Sequence, residues 1–316
     1  MFFVAHIADN NAMKKFALGL ILPLVGLGVG FMPDTDVVCE MNCEYAEIAV
    51  VEDVADKKEF IRWIDFNATS ETMKRCITAS KKLDGVDVFD MLAYVALRNG
   101  NEFNNKRDAK VILGATAEKI DAARENKYFR RYREGFEAVL GGVIDCESSE
   151  LTGYHPIAKG YWFSGYDDFG VSRTYGYKRR HLGHDLYGGV GTPIIAMEGG
   201  TVTELGWNRY GGWRVGIRSE DTKRYYYYAH LRKDKPFPDD LNIGDRVEAG
   251  HVIGFLGNTG YSRTPNVNMK TGKPHLHFGL QIIFDESQED GSGEIWVDVY
   301  QICRLLSGRR VKVQKT

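Results

Sequence analysis

Two histidines separated by a single residue lie at the start of a β-prone stretch, HLHFGLQI. Side chains at positions i and i+2 of a strand point to the same face of a sheet, so His275 and His277 are expected to project together. Upstream, RRHLGHD places His181 four residues before Asp185, and YYYYAHL carries His230. Zinc prefers neutral imidazole and carboxylate ligands, and a catalytic zinc site keeps three protein ligands and one position for water. The set predicts a metal site, although an H-x-H pair alone is more often simply exposed.

The elements that must position these residues are short strands joined by tight turns. Short apolar runs alternate with glycines along HLGHDLYGGVGTPIIAMEGGTV, a pattern typical of short strands separated by tight turns. From Tyr154 onward the chain is rich in Gly, Tyr and Trp. We therefore predict an α+β protein with a mostly antiparallel β domain over residues 152–308 and a closing helix from about Val299 to Leu306.

The order of the motifs resembles one protein family. The His-x-x-x-Asp motif is followed by GTPIIA, a Gly-Gly turn, YYYYAHL, GDRVEAG, a G-x-T-G segment and H-L-H. This order is similar to that of the lysostaphin-type (LytM-like) zinc endopeptidases, which cut the cross-link peptides of peptidoglycan. The resemblance covers about residues 155–300, and it implies a LytM-like β domain of the duplicated-hybrid-motif type.

The resemblance also assigns roles to the histidines. It implies that His181, Asp185 and His277 hold Zn²⁺, which lowers the pKa of a water and polarises the scissile carbonyl. It places His230 and His275 beside that water as general base and transition-state stabiliser. Histidine suits these roles because its pKa lies near neutral pH.

Three other positions near the motifs have expected places. Tyr175 and Tyr177 are candidates to donate a hydrogen bond to the developing oxyanion, as a tyrosine in relatives does, and the sequence does not decide between them. His184 precedes Asp185, and adjacent residues of an extended segment face opposite sides, so we expect it behind the ligands or on the far face. His251 is most simply a surface residue.

Loops between the strands wall a narrow peptide groove in the relatives. The insertion YSRTPNVNMKTGKP, which precedes the H-x-H pair, could shape the choice of substrate. Ordinary sheet packing is the alternative for each of the aromatic residues that could line the groove, which are Trp207, Tyr210, Trp213 and Tyr261.

Residues 45–146 carry a different pattern. Apolar residues recur at i, i+3 and i+4 in KKEFIRWIDF, SETMKRCITASKKL, VDVFDMLAYVALRNG and AEKIDAARENKYFRRYREGFEAVLGG, which predicts helices. Ser70 is a fair N-cap for the second of these segments. We predict an α-helical accessory domain that binds wall material or a partner or acts as a spacer, with a linker at residues 146–150.

The N-terminal region contains an apolar segment at residues 13–32. Lys14 and Lys15 precede an uncharged run of Leu and Gly whose length lies between that of a signal peptide and that of a spanning helix. The lysines favour export of the rest of the chain. We expect a protein that is membrane-anchored or secreted, with its β domain outside the cytoplasm and facing the cell wall, and we favour an uncleaved anchor.

Composition excludes some partners. The net charge of -2 provides no basic surface for nucleic acid. Five cysteines leave at least one thiol unpaired in an exported chain unless a partner supplies another. The sequence thus predicts a Zn-dependent endopeptidase whose partners are a peptidoglycan peptide and, through residues 13–32, a membrane. The alternatives are a non-catalytic LytM-like scaffold or activator of wall hydrolases, and a pure wall-binding module.

Overall fold

The computed structural model describes residues 4–5, 51–52, 60–174, 178–284, 288 and 293–313. The apolar segment at residues 13–32 lies outside this range, as do Tyr175 and Tyr177. Within the described part of the chain, no helix is both long and apolar enough to cross a membrane. The chain divides into two compact units, Met1–Glu137 with Glu147–Ser149 and Ala138–Cys146 with Glu150–Thr316.

The first unit contains a small antiparallel sheet followed by helices. The helices predicted within 70–83 and 86–100 are confirmed as Ser70–Ser80 and Val88–Asn99, and the segment at 117–142 forms two helices, the first of which ends at Arg124. A helix at residues 105–113 was not predicted. The assignment of residues 45–146 to an accessory domain stays a prediction. The elements are β1 (Val4–Ala5), β2 (Val51–Glu52), β3 (Phe60–Asp65), α1 (Ser70–Ser80), α2 (Val88–Asn99), α3 (Asn105–Leu113), α4 (Ala117–Arg124) and α5 (Lys127–Leu140), whose last three residues belong to the second unit.

The prediction of a helix in KKEFIRWIDF is wrong, because residues 60–65 form β3, which pairs with β1 and β2. Its apolar spacing suits a helix, but Ile and aromatic residues also favour strands, and the partner strands supply the backbone hydrogen bonds. Ser70 is not the N-cap of α1 either. Thr69 holds that position, and its hydroxyl accepts from the backbone N–H of Thr72.

The helix ends of α2 follow from its sequence. Asp87 caps the N-terminus in a capping box with Asp90, and Gly100 ends the helix in the left-handed conformation, φ 63°. Eleven of its twelve residues are buried, so α2 is the central helix of this unit. The helix therefore ends at Asn99, directly before this glycine.

The second unit is mostly antiparallel sheet, as predicted, and α6 confirms the closing helix. Every pairing between two of its strands is antiparallel among the described residues. Its elements are β4 (Phe163–Ser164), β5 (Ser172–Thr174), β6 (Lys178–Arg180), β7 (His184–Gly188), β8 (Pro193–Ile195), β9 (Gly200–Asn208), β10 (Gly212–Ser219), β11 (Arg224–Ala229), β12 (Arg246–Val247), β13 (Val252–Phe255), β14 (His275–Ile282), β15 (Ile295–Val297), α6 (Tyr300–Leu305) and a 3-10 turn (Leu306–Gly308).

Strand β14 lies in the middle of the main sheet. The order β12-β9-β10-β11-β14 continues to β7 beside the first half of β14 and to β15 beside its second half. The strand period sorts the four tyrosines of β11 onto two faces. Tyr226 and Tyr228 are buried against Phe278, whereas Tyr225 and Tyr227 face the other way.

A buried ion pair supports this sheet away from the motifs. Arg224 is only 3% exposed, and its guanidinium donates to both carboxylate oxygens of Glu198 at 2.7 and 2.9 Å. The hydroxyl of Tyr226 donates to the same carboxylate at 2.7 Å, and Asp221 accepts from Arg224 at 2.9 Å. A buried charge is tolerated when it is paired and hydrogen-bonded in this way.

Replacing Glu198 with Gln should therefore lower the free energy of unfolding of this unit by roughly 3 kcal/mol, because the buried guanidinium loses its main counter-charge. Urea unfolding followed by tryptophan fluorescence measures the loss, since four of the five tryptophans lie in this unit. The matched control is Glu220→Gln, whose partner Arg246 is 73% exposed, and it should cost less than about 1 kcal/mol. Equal losses in the two variants would contradict the prediction.

Candidate metal centre

The pairing of β7 with β14 brings the two ends of the motif region together. Asp185 lies directly opposite His277, and Tyr187 lies opposite His275. Paired residues of adjacent strands project from the same face, so the carboxylate and both imidazoles share one surface of the sheet. His181 joins them from the segment between β6 and β7, and the side chains of His181 and Asp185 are 3% and 1% exposed.

Three donor atoms of this group form a small triangle. Nε2 of His181 lies 2.9 Å from Nδ1 of His277 and 3.0 Å from Oδ1 of Asp185, and the last two atoms are 3.1 Å apart. Tetrahedral zinc ligands at about 2.0–2.1 Å from the metal lie about 3.3 Å from one another. The triangle is slightly tighter than one face of such a tetrahedron, so the donor set fits Zn²⁺ in both chemistry and size.

The hydrogen bonds of His181 determine which nitrogen faces the triangle. Its Nδ1 lies 2.9 Å from the backbone oxygen of Asp168 and 3.2 Å from Oδ2 of the same residue. Both oxygens can only accept, and together they favour the hydrogen on Nδ1 although Nη2 of Arg173 also lies 3.1 Å from that nitrogen, so Nε2 turns a lone pair toward the oxygen of Asp185. Two lone pairs at 3.0 Å repel each other unless a positive charge lies between them.

The pKa shifts agree with this arrangement. Burial would raise the pKa of Asp185, yet hydrogen bonds with His181 and His277 hold it far below its usual range. Burial would lower the pKa of His181, yet hydrogen bonds with Asp168 and Asp185 raise it, so a proton is favoured between Nε2 and Asp185 when no metal ion takes that position. Burial lowers the pKa of His277 to about 4, which keeps its ring neutral and able to bind a metal.

A glycine makes room for the third donor. A Cβ added at Gly183 would lie 2.6 Å from Cε1 and 2.8 Å from Nε2 of His277, closer than real Cβ atoms approach other groups. The backbone of the HLGHD motif therefore passes directly against the imidazole ring. The glycine of His-x-Gly-x-Asp is required by this contact.

His275 lies beside the triangle with one nitrogen unengaged. Its Nδ1 donates to the backbone oxygen of Lys273 at 2.7 Å, so its Nε2 carries the lone pair. That Nε2 is buried, has no hydrogen-bond partner in the described part of the chain, and lies 3.6 Å from Oδ2 of Asp185. An unpaired buried acceptor next to a carboxylate is suited to accept a proton from a substrate or a water.

His230 completes the group from the end of β11. Its ring centroid lies 4.7 Å from that of His275 and 6.0 Å from that of His277. Its Nδ1 donates to the backbone oxygen of Thr259 at 2.8 Å, and its φ of 61° is unusual for a residue other than glycine. Burial and the two neighbouring histidines lower its pKa well below the usual range, so its ring is neutral.

The other positions considered from the sequence lie elsewhere. Tyr175, the candidate oxyanion donor, is outside the described residues. His184 faces away from Asp185, and its Nδ1 lies 3.1 Å from Asp168 while its ring packs edge-on against Tyr300. His251 is exposed, as expected.

The four aromatic candidates for a groove divide into two groups. Trp207 and Trp213 pack against each other, and their indole N–H groups donate to Ser262 and Asn266 of the insertion. Both tryptophans therefore hold the insertion in place, which agrees with the alternative that these residues serve ordinary packing. Tyr261 stacks on His230 with ring centroids 5.8 Å apart and borders the histidine cluster. Tyr210 contacts Arg209 through its ring.

Sequence reasoning missed two charged residues that contact the ligand candidates. Asp168 accepts from His181 and His184, and Arg173 donates to Asp185 at 2.6 Å. Burial would raise the pKa of Asp168, yet hydrogen bonds from the two histidines lower it to about 2. Neither residue belongs to a spaced motif, so no sequence signal distinguishes them from other surface charges.

The antiparallel sheet carries a cluster of two histidines and one aspartate that could hold a metal ion. The sequence profile of peptidase family M23 matches residues 179–290. The L-Ala--D-Glu endopeptidase of Bacillus subtilis is 38% identical over 147 residues, which are 46% of this chain and 41% of that protein. The glycyl-glycine endopeptidase ALE-1 of Staphylococcus capitis is 39% identical over 99 residues, which are 31% of this chain and 24% of that protein.

A solved structure of a lytM protein from Ruminococcus gnavus has the same fold, with a TM-score of 0.56 and 24% identity over 79% of this chain and 92% of that one. Residues 179–290 thus form a peptidase family M23 domain, homologous to the two endopeptidases. The chain spans less than half the length of these curated relatives.

Substituting Gly183 with Ala should displace the ring of His277 and weaken zinc binding by at least about tenfold, because the added methyl group overlaps that ring. Competition with a chromophoric chelator measures the dissociation constant. The matched control is Gly189→Ala, whose added Cβ would meet nothing closer than the hydroxyl of Thr192 at 3.8 Å. Unchanged zinc affinity in Gly183→Ala would exclude His277 as a ligand.

Proposed function

We propose that this protein is a Zn-dependent endopeptidase that hydrolyses peptide cross-links of bacterial peptidoglycan. The observation that carries the proposal is the triangle of donor atoms from His181, Asp185 and His277, with the unpaired Nε2 of His275 beside it. Two imidazoles and one carboxylate match the ligand sets of catalytic zinc sites, which leave a position for water. Zn²⁺ bound there would supply the Lewis acidity that activates a water and polarises a carbonyl near neutral pH.

The two remaining histidines, His275 and His230, are proposed to act on the attacking water. Nε2 of His275 is the acceptor placed to take the proton of the attacking water, because Lys273 fixes its tautomer and no described residue forms a hydrogen bond with that nitrogen. His230 is held by Thr259, and its ring centroid lies 4.7 Å from that of His275. Protonated His275 can then return the proton to the leaving amine, while the neutral ring of His230 can accept a hydrogen bond from the attacking water.

Three tyrosine rings border the cluster and suit an extended peptide. Tyr187 lies 5.4 Å from His275, Tyr227 lies 6.0 Å from His277, and Tyr261 lies 5.8 Å from His230, all between ring centroids. Burial raises the pKa of Tyr187 to about 12, so its hydroxyl stays protonated. Tyr175 remains the proposed donor to the oxyanion on the strength of the family resemblance.

The substrate class rests on the homologous domains. Relatives matched over residues of this domain are an L-Ala--D-Glu endopeptidase and a glycyl-glycine endopeptidase, both peptide-bond hydrolases. These names differ in the bond cut, so the peptide class is carried over and the individual bond is not. A location outside the cytoplasm follows as part of the proposal, because peptidoglycan lies there and Lys14 and Lys15 precede an apolar run.

The scaffold alternative lacks the observation that would favour it. A non-catalytic relative is expected to have lost a ligand or an accessory histidine. Here all three ligand candidates and both accessory histidines are present, and they lie together on one face of the sheet.

Digestion of purified peptidoglycan by the full chain tests the proposal. The zinc-loaded protein should release muropeptides with newly freed peptide ends, identified by mass spectrometry, and should lose this activity after chelation and regain it when zinc is restored. The variant Asp185→Ala should be inactive. A zinc-loaded protein that leaves peptidoglycan intact would contradict the proposal and favour the scaffold.

Substituting His275 with Gln should lower kcat by about 10²–10⁴-fold while zinc content stays near that of the wild type, because the proton acceptor is lost and the proposed ligands remain. His230→Gln should behave in the same way. The matched control is His251→Gln, an exposed histidine outside the cluster, which should keep full activity. Muropeptide release measures kcat, and metal analysis measures zinc. Full activity in His275→Gln would remove His275 from the mechanism.

A further inference from the structure

A second layer of charged residues lies directly behind the proposed metal ligands. Asp168 is 1% exposed and lies in the loop between β4 and β5. Its Oδ1 is 3.1 Å from Nδ1 of His184 and 3.4 Å from the backbone N of Asp185. Its Oδ2 is 3.2 Å from Nδ1 of His181 and 3.1 Å from Nη2 of Arg173. Both carboxylate oxygens are therefore engaged, and three of their four partners lie within the HLGHD motif.

These contacts fix the orientation of His181. Both the carboxylate and the backbone oxygen of Asp168 lie beside Nδ1, and both can only accept a hydrogen bond. The hydrogen is held on Nδ1, and the lone pair of Nε2 is aimed at His277 and Asp185. An acceptor behind a ligating histidine sets its tautomer and increases its basicity as a ligand.

Arg173 acts on the second ligand candidate. Its Nη2 donates to Oδ2 of Asp185 at 2.6 Å and to Oδ2 of Asp168 at 3.1 Å. One guanidinium nitrogen thus lies between two buried carboxylates that would otherwise repel each other. The contact with Oδ2 leaves Oδ1 of Asp185 as the oxygen that faces the two imidazoles.

We propose that Asp168 and Arg173 are positioning residues of the metal centre: Asp168 holds His181 in the tautomer that presents Nε2, and Arg173 holds Asp185 so that Oδ1 faces the metal. The inference rests on the zinc site proposed above. Neither residue touches a reacting atom, so each acts on zinc binding through a ligand. A purely structural role would affect the stability of the metal-free protein and leave the metal affinity unchanged.

Zinc affinity of the full-length variant Asp168→Asn provides the first test. Its zinc dissociation constant, from competition with a chromophoric chelator, should rise about 10–100-fold relative to the wild type. The visible absorption spectrum of the cobalt-loaded variant should also shift, because the ligand geometry changes. The matched control is Asp221→Asn, whose carboxylate accepts from Ser219 and Arg224 away from the site and which should bind zinc normally. An unchanged dissociation constant and cobalt spectrum in Asp168→Asn would overturn the role of Asp168.

A pair of substitutions at Arg173 keeps the proposal testable if Asp168→Asn does not fold. The contacts of Arg173 with both carboxylates come from a single nitrogen, so the ammonium of Arg173→Lys can replace it and zinc affinity should stay within about threefold of the wild type. Arg173→Gln lacks the charge and should bind zinc about tenfold more weakly. Tighter zinc binding by Arg173→Gln would mean that the charge merely repels the metal, and it would overturn the positioning role.

Zinc binding by the wild-type protein distinguishes a failure of this proposal from a failure of the metal site on which it rests. If the wild-type protein binds no zinc, the metal site itself fails, and the proposal for Asp168 and Arg173 fails with it. If the wild type binds zinc and the Asp168 and Arg173 variants bind it equally well, only the positioning role fails. Peptidoglycan hydrolysis is not needed for either decision.

Discussion

The register between β7 and β14 is the constraint on which the site depends. Asp185 lies opposite His277, so both side chains leave the same face of the sheet. A slip of one residue would turn His277 to the opposite face and bring Leu276 to the site. The same register places His184 behind the cluster, where it meets Asp168 and not the ligands. β11 on the other side of β14 helps to hold this register and ends at Ala229, directly before His230.

Buried charge is handled in two ways within the β domain. Arg224 donates two hydrogen bonds to Glu198, and Tyr226 and Asp221 are further partners. The charges of this cluster are therefore compensated within the protein. The histidine cluster is not compensated in this way, because Nε2 of His181 and Oδ1 of Asp185 need a proton or a metal ion between them and Nε2 of His275 has no partner in the described residues. Polar groups that the fold leaves unsatisfied are expected at a site where a cation and a substrate bind.

Local sequence signals predicted some elements well and one wrongly. The ends of α2 follow from Asp87 and Gly100, because capping is decided by residues next to the helix in the sequence. The H-x-H pair was predicted to share a face because the strand period is local as well. The helix predicted at 57–66 is wrong because its apolar spacing is compatible with both structures, and pairing with the nearby β2 and with β1, which is distant in sequence, decides for a strand.

The sequence by itself determined the donor types, their spacing within each motif and the antiparallel character of the domain that carries them. These properties depend on residue chemistry and short-range geometry. Only the tertiary structure decided which atoms meet, because His181 and His277 are 96 residues apart and are joined through strand pairing. It also revealed Asp168 and Arg173, whose contacts with His181 and Asp185 arise from the path of a loop and therefore leave no periodic pattern in the sequence.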